Sequence, residues 1–236
     1  MATRADTLFL FDIDGTLLNT GGAGIAAINQ AFASTFPAEA GRMPELDLAG
    51  ATDSGIVMNL FEHADIEHTD GNCEAFYSAY LDFLCENLAA PDFDGRLLPG
   101  IGTLLDILAS DHPTIATGLL TGNIERGARL KIDHFRVGHH FTFGSYGDDH
   151  HDRDRLGPIA IQRAEEITGT RFQRDRVFVI GDTAKDIRCA RAAGAKAVAV
   201  STGSVTRDQL ESHSPDILFD DLSDTTTVLR TLGLDE

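Results

Sequence analysis

The sequence predicts an α/β fold: a doubly wound parallel sheet with an inserted all-helical domain. Three observations predict it. From residue 97 onward, short apolar runs ending in polar, glycine-bearing turns alternate with segments of helical periodicity. That is the pattern of a parallel sheet covered by helices on both faces. A first run of the same kind, Leu8-Phe9-Leu10-Phe11, opens the chain. Between the two, residues 19–96 carry helical patterning alone. Residues 1–18 and 97–236 are therefore expected to form the α/β core, and residues 19–96 a helical domain inserted after the first strand.

The opening run reads as a strand buried on both faces, and it ends in Asp12-Ile13-Asp14-Gly15-Thr16. Ile25, Ile28, Phe32 and Phe36 then recur at helical spacing until Pro37 stops them. A polar stretch with Gly and Pro follows to residue 51. Thr52-Asp53-Ser54 can cap a second helix bearing Ile56, Leu60 and Ala64. Gly71-Asn72 starts a third, with Phe76, Tyr80, Leu84 and Leu88 at four-residue spacing. These stripes are expected to be core packing, not ligand contacts. Residues 91–99 read as a linker.

Residues 101–111 form a helix, and 115–120 a strand ending in Thr121-Gly122-Asn123. Residues 124–135 are a helix, 141–146 a strand and 158–168 a helix. Residues 176–180 are a strand ending in Gly181-Asp182-Thr183, and 184–193 a helix stopped by Gly194. A strand at 197–200 and an edge strand at 217–219 complete the pattern. In such sheets ligands bind beyond the carboxyl ends of the strands. Asp12, Asp14, Thr121 and Asp182 all fall there.

Composition narrows the function. The formal net charge is -18, which repels nucleic acid and anionic membrane, so neither is an expected partner. An anionic substrate then requires a local positive site, such as a bound metal. The cysteines, Cys73, Cys85 and Cys189, are odd in number and lack CxxC spacing. They read as reduced thiols in a cytoplasmic protein. No run approaches the roughly 20 apolar residues of a membrane helix, and no secretory signal is visible.

The chemistry gathers at strand ends. Asp12 and Asp14 leave the same side of the first strand if its geometry persists. Two such carboxylates repel unless a cation sits between them or one is protonated. A hard divalent ion prefers one or two carboxylates plus phosphate oxygens. A calcium loop starting at Asp12 would need Gly at its sixth position and Glu at its twelfth. Leu17 and Ala23 stand there, so that reading fails. Thr121-Gly122-Asn123 offers a hydroxyl, a glycine amide and a helix N-terminus, a ready anion site, although taken alone it reads first as a helix cap. Asp182 and Asp186 stand one helical turn apart.

In this order and at these positions, Asp12-Ile13-Asp14-Gly15-Thr16, Thr121-Gly122-Asn123 and Gly181-Asp182-Thr183 with Asp186 resemble the motifs of the haloacid dehalogenase superfamily. Within it the chain is similar to the phosphatases with a helical cap, phosphoglycolate phosphatases in particular. The resemblance covers nearly the whole chain, because the helical insert falls where the family places its cap. It implies a Rossmann-like core whose first strand is flanked by those bearing Thr121 and Asp182.

It also implies a mechanism. Asp12 would be the nucleophile and form an aspartyl-phosphate. Asp14 would protonate the leaving alcohol and then activate water. Mg2+ would be held by the Asp12 carboxylate, the Asp14 carbonyl and Asp182, with Asp186 acting on its water shell. Thr121, Gly122 and Asn123 would bind the phosphoryl group of a small phosphorylated metabolite. The family's dehalogenases lack the second Asp and its phosphonate-cleaving branch carries Ala there, so Asp14 favours oxygen esters. A sugar-phosphate mutase and a non-catalytic phospho-accepting domain are the alternatives.

The family also places a cation, commonly a Lys, between the second motif and Asp182. Here the stretch is Asp152-Arg153-Asp154-Arg155-Leu156-Gly157-Pro158. Arg153 and Arg155 can each fork onto a phosphate or carboxylate. Arg153 is preferred, because Arg-x-x-Leu before a Pro-bearing helix resembles relatives with the same substitution. Lys131 is a rival, but it lies roughly 11 Å into its helix and reads as a solvated lysine. Lys185 reads equally as a carboxylate's partner or as solvent-facing. His139, His140, His150 and His151 lack partners at defined spacing and are not expected to bind metal. The cap loop Leu48-Ala49-Gly50-Ala51-Thr52-Asp53 has Ala51 where relatives commonly have Arg.

Overall fold

The computed structural model describes residues 5–44, 46 and 48–234. Glu45 and Asp47, in the polar stretch before residue 51, lie outside the described residues. The chain opens with β1 (Thr7–Phe11) and a short β2 (Leu18–Asn19), then α1 (Ala23–Thr35), α2 (Asp53–Ala64) and α3 (Asp70–Ala89). β3 (Arg96–Leu97) returns to pair antiparallel with β2, closing the helical excursion at its base. The alternating part runs α4 (Ile101–Asp111), β4 (Ile115–Leu120), α5 (Glu125–His134), β5 (Gly144–Ser145), α6 (Leu156–Thr168) and β6 (Val177–Gly181). It ends with α7 (Ala184–Ala192), β7 (Lys196–Val200), α8 (Arg207–Ser212), β8 (Ile217–Phe219) and α9 (Thr225–Thr231).

The main sheet has six parallel strands in the order β5-β4-β1-β6-β7-β8. β1 is central because every one of its side chains is apolar or hydrogen-bonded and can be buried on both faces. Its residues alternate. Phe9 and Phe11 enter one apolar cluster, and Leu8 and Leu10 the other. Phe9 packs edge-on against Phe178 with centroids 5.2 Å apart, and Phe11 against Phe141 at 6.1 Å. The register sets Phe11 beside both Leu119 and Ile180. Asp12 lies one residue beyond this level and Thr121 and Asp182 two, so the three emerge side by side.

The three inserted helices share their own apolar cluster around Phe32, Leu60, Phe61, Phe76 and Leu84. Thr52 and Thr69 cap α2 and α3 through their side chains, so α3 starts slightly before Gly71. Ile124, at the start of α5, joins this cluster and ties it to the core.

Two expected elements differ. The strand over 141–146 shrinks to Gly144–Ser145, because the chain meets β4 only at its carboxyl end, pairing with Leu119 and Leu120. Helix α6 starts at Leu156, ahead of Pro158. Proline is tolerated there because the first four N–H groups of a helix have no intrahelical acceptor. Among the described residues, no helix is long and apolar enough to cross a membrane.

Phe9→Ala removes a fully buried ring at the centre of the sheet. It is expected to cost about 3–5 kcal/mol of stability, read as a lowered midpoint in urea denaturation.

Candidate active site

The site is built where β1, β4 and β6 end. Asp12 follows β1, and its N–H donates to Ile180 O at 2.9 Å, so it is still held by the sheet. Asp182 follows β6, and Thr16 Oγ1 donates to its Oδ1 at 3.2 Å. Gly15, at φ +82°, adopts a conformation L side chains rarely take. Its bare Cα also makes room for the Asp182 carboxylate, which a Cβ there would overlap. Asp186, in the first turn of α7, accepts from Thr183 N at 3.0 Å and Thr183 Oγ1 at 2.6 Å through one oxygen. Arg153 reaches in from the turn before α6. Its Nη2 lies 3.0 Å from Asp12 Oδ1 and donates to Asp186 Oδ1 at 2.5 Å. Arg155, the other candidate, does not line the cavity described below.

These groups are buried, and burial sets their electrostatics. Burial pushes the Asp12 carboxyl up to about 6; Arg153 pulls it back, while Asp186 and Asp14 add to the rise. Burial likewise pushes Asp182 up to about 8, reinforced by Asp186 and Asp12 and opposed by Arg153 and Thr16. Burial works against the charge on Arg153, but Asp186 and Asp12 outweigh it and hold the guanidinium firmly protonated. One guanidinium therefore faces three carboxylates. Oxygens of Asp12, Asp182 and Asp186 all lie within 4.8 Å of one another. A crowded all-oxygen set that is charged only at a cost fits a hard divalent cation.

A second charge cluster adjoins the first. Lys131 Nζ donates to Asp14 Oδ1 and Oδ2 at 2.8 and 2.7 Å and to Asn123 Oδ1 at 2.6 Å. Asn123 Nδ2 donates to Asp14 Oδ2 and to Thr121 Oγ1, each at 2.8 Å. This corrects the expectation of a solvated Lys131, whose side chain is 5 % exposed. The distance along the helix counts against it, but helical side chains tilt toward the N-terminus, and a lysine stem spans the remaining gap. Lys131 lies on the buried face of α5 with Gly127, Ala128 and Ile132, which carries it inward. The first reading of Thr121 and Asn123 as helix caps is also corrected. The N-cap of α5 is Ile124, without a side-chain cap.

Above these clusters lies a cavity of about 420 Å3. Its floor includes Asp12, Asp14, Thr121 and Asp182, and its roof comes from residues 19–96. Ile25, Ile28, Ile56 and Tyr80 line it, so the expectation that these stripes serve only as core is corrected. Ile25 is 55 % exposed. The roof is latched to the floor. Asp53 N donates to Gly122 O at 2.7 Å, and Asp53 Oδ2 accepts from Ile124 N at 2.8 Å. Thr52 Oγ1 donates to His151 O at 2.6 Å, and Ser54 Oγ to Gly147 O. Burial pushes Asp53 up to about 6, against the pull of Lys131 and the Ile124 N–H. Burial also raises Tyr80 well above its ordinary value, so its hydroxyl keeps its proton.

The histidines lie outside this cavity, except that His151 lends the carbonyl just named. His139 and His140 do have a partner from elsewhere in the chain. Asp106 of α4 sits 3.5 Å from His140 Nε2. Lys185 lines a neighbouring cleft with His63 and Arg188. Sequence reasoning kept Lys131 only as a rival, passed over Asp53, Tyr80 and Ile25 as site residues, and did not assign Thr16 a role. Only tertiary contacts bring them to the site.

Comparison with known proteins shows the family and agrees with the fold. The family model for haloacid dehalogenase-like hydrolases matches residues 9–200. Phosphoglycolate phosphatase 1 of Pseudomonas aeruginosa is 27% identical over 223 residues, 94% of this chain and 79% of its own. Pyrophosphatase PpaX of Bacillus cereus is 24% identical over 230 residues, 95% and 96% of the two chains. The crystal structure of a hydrolase from Pseudomonas syringae superposes with a TM-score of 0.72 at 21% identity, covering 96% and 99%.

The raised carboxyls make metal-free stability pH-dependent. A group whose folded pKa exceeds its unfolded value favours the fold below the unfolded value and loses that contribution as pH rises through the folded one. With Asp12 at about 6 and Asp182 at about 8, the melting temperature in EDTA is expected to fall between pH 5 and 8.5. Adding Mg2+ is expected to restore it, most strongly at the alkaline end.

Proposed function

The chain belongs to the haloacid dehalogenase-like hydrolases, and from that premise we propose that it is a Mg2+-dependent phosphatase. It hydrolyses a small phosphomonoester in the cytoplasm through an aspartyl-phosphate on Asp12. Residues 19–96 act as the cap over the site. The observation that carries this reading is the pairing of two adjacent carboxylates with two different buried cations. Asp12 faces Arg153, and Asp14 faces Lys131. One carboxylate is thereby set up as a nucleophile and the other as an acid–base, two residues apart.

Asp12 is anchored by the strand behind it and by Arg153, and attacks phosphorus. The bond from phosphorus to the leaving oxygen breaks, and that oxygen takes its proton from Asp14. In the second half, water attacks the same phosphorus, Asp14 takes its proton, and Asp12 is released with inorganic phosphate. Lys131 and Asn123 hold Asp14 in place between the two halves. The Thr121 hydroxyl, whose oxygen accepts from Asn123, is left to donate its proton to a phosphoryl oxygen. The Gly122 amide lies beside it at the head of α5.

Asp12 and Asp182 would supply the direct carboxylate ligands of Mg2+. Both oxygens of Asp186 are already engaged, by Thr183 and Arg153, so Asp186 serves to anchor Arg153 and the metal's water shell. When bound, the ion offsets the crowding of acids and neutralises charge on the phosphoryl group.

The test is phosphate release from a panel of small phosphomonoesters, with and without Mg2+. Release is expected to require the metal and to fall to background in Asp12→Asn. Asp14→Asn is expected to lower kcat about 10²–10⁴-fold. No release from any ester by a folded protein would refute the reading. Lys131→Met is expected to lower kcat about 10²-fold with a smaller effect on KM, which steady-state kinetics on the best ester would separate.

A further inference from the structure

The cavity extends beyond the phosphate site, and the chemistry of its outer wall bears on what the phosphate is attached to. Among the described residues, two cations line the cavity, Arg153 and Lys131. Both are committed to the floor. Arg153 Nη2 bridges Asp12 and Asp186. Lys131 directs its three N–H groups to the two Asp14 oxygens and Asn123. The outer wall is contributed by α1, α2, α3 and the loop before α2. It carries Ile25, Ile28, Ile56, Tyr80 and a single charged group among the described lining residues, the Asp53 carboxylate.

Asp53 is partly buried and pinned, with Ile124 N–H on Oδ2 and its own N–H on Gly122 O. Among the described hydrogen bonds only Oδ2 is engaged. A carboxylate that already carries a desolvation cost gains from an O–H donor and loses from a second anion. The Tyr80 hydroxyl keeps its proton and offers both a donor and an acceptor. The three isoleucines present apolar surface that suits the C–H faces of a carbon chain or ring. Among the described residues, a leaving group bearing its own carboxylate or phosphate finds no uncommitted cation on this wall and faces Asp53.

Resting on the phosphatase reading, we infer that the substrate is the phosphate monoester of a small uncharged polyol, a sugar or sugar alcohol. Asp53 and Tyr80 read its hydroxyls, and Asp53 rejects leaving groups that carry a second anion. This sets the chain apart from what the names of its relatives indicate for them. Glycolate carries a carboxylate, and pyrophosphate a second phosphate.

The experiment is phosphate release by the full-length protein with Mg2+. The panel is sugar phosphates, glycerol phosphate, phosphoglycolate, pyrophosphate and an aryl phosphate. The best polyol ester is expected to exceed phosphoglycolate and pyrophosphate in kcat/KM by on the order of 10²-fold. Asp53→Asn keeps the side chain's shape and an oxygen for Ile124 N–H. It is expected to shrink that ratio about 10-fold, chiefly by lowering KM for the anionic esters. If phosphoglycolate or pyrophosphate is the best substrate of the wild type, this inference fails while the phosphatase reading stands. If the ratio holds but Asp53→Asn leaves it unchanged, the role given to Asp53 fails. Release from no ester, the aryl phosphate included, overturns the inference together with the reading beneath it. The wild-type ratios decide the substrate class even if the variant does not fold.

Discussion

Crowded carboxylates at the end of the central strand are the constraint on which the rest of this structure depends. Parallel strands ending at one level deliver Asp12, Asp14 and Asp182 into a small volume, and α7 adds Asp186. Left alone, such a set would repel itself apart or take up protons. It persists because a guanidinium and an ammonium arrive from two different helical segments. Arg153 comes from the turn before α6 and Lys131 from the inner face of α5. Each cation is charge-paired with particular carboxylates. The division of labour proposed for Asp12 and Asp14 rests on that pairing.

The same crowding explains features that would otherwise look unrelated. Gly15 sits in a left-handed turn against Asp182, where a side chain would displace the carboxylate. Thr16 and Thr183 spend their hydroxyls on Asp182 and Asp186. Both Asp12 and Asp182 have raised carboxyls, a charge imbalance that a divalent cation at these oxygens would offset. On the proposed reading, binding of such an ion and the stability of the fold would be linked.

The helical insert completes the site and does not merely cover it. Its own core of Phe32, Phe61 and Phe76 makes it a firm body, and its base is closed by the β2–β3 pair. Hydrogen bonds from Thr52, Asp53 and Ser54 latch it onto the loops after β4 and β5. Among the described residues that α1, α2 and α3 contribute to the cavity wall, Tyr80 and Asp53 are the polar side chains and Asp53 the charged one. Charge is thus concentrated on the floor, where the phosphoryl group would sit, and is sparse on the roof, where the leaving group would.

The sequence by itself determined the sheet and the strand-end acids. Short continuous apolar runs bounded by glycine turns read as strands buried on both faces, and their alternation with helices argues a parallel sheet. Asp12, Thr121 and Asp182 follow directly as the first polar residues beyond those runs. The carboxyl-end rule for open sheets then places them together. Strand 141–146 was overextended because an edge strand's length is set by its neighbour's register, which local pattern does not contain. Tertiary structure decided the cations and the roof. Lys131 lies in a helix of ordinary amphipathic character, and its inward direction depends on how α5 packs against β4 and the insert. Asp53 and Tyr80 reach the cavity only because α2 and α3 fold back over the strand ends. Contacts between residues more than fifty positions apart leave no periodic trace in the chain, so they became visible only once the packing was known.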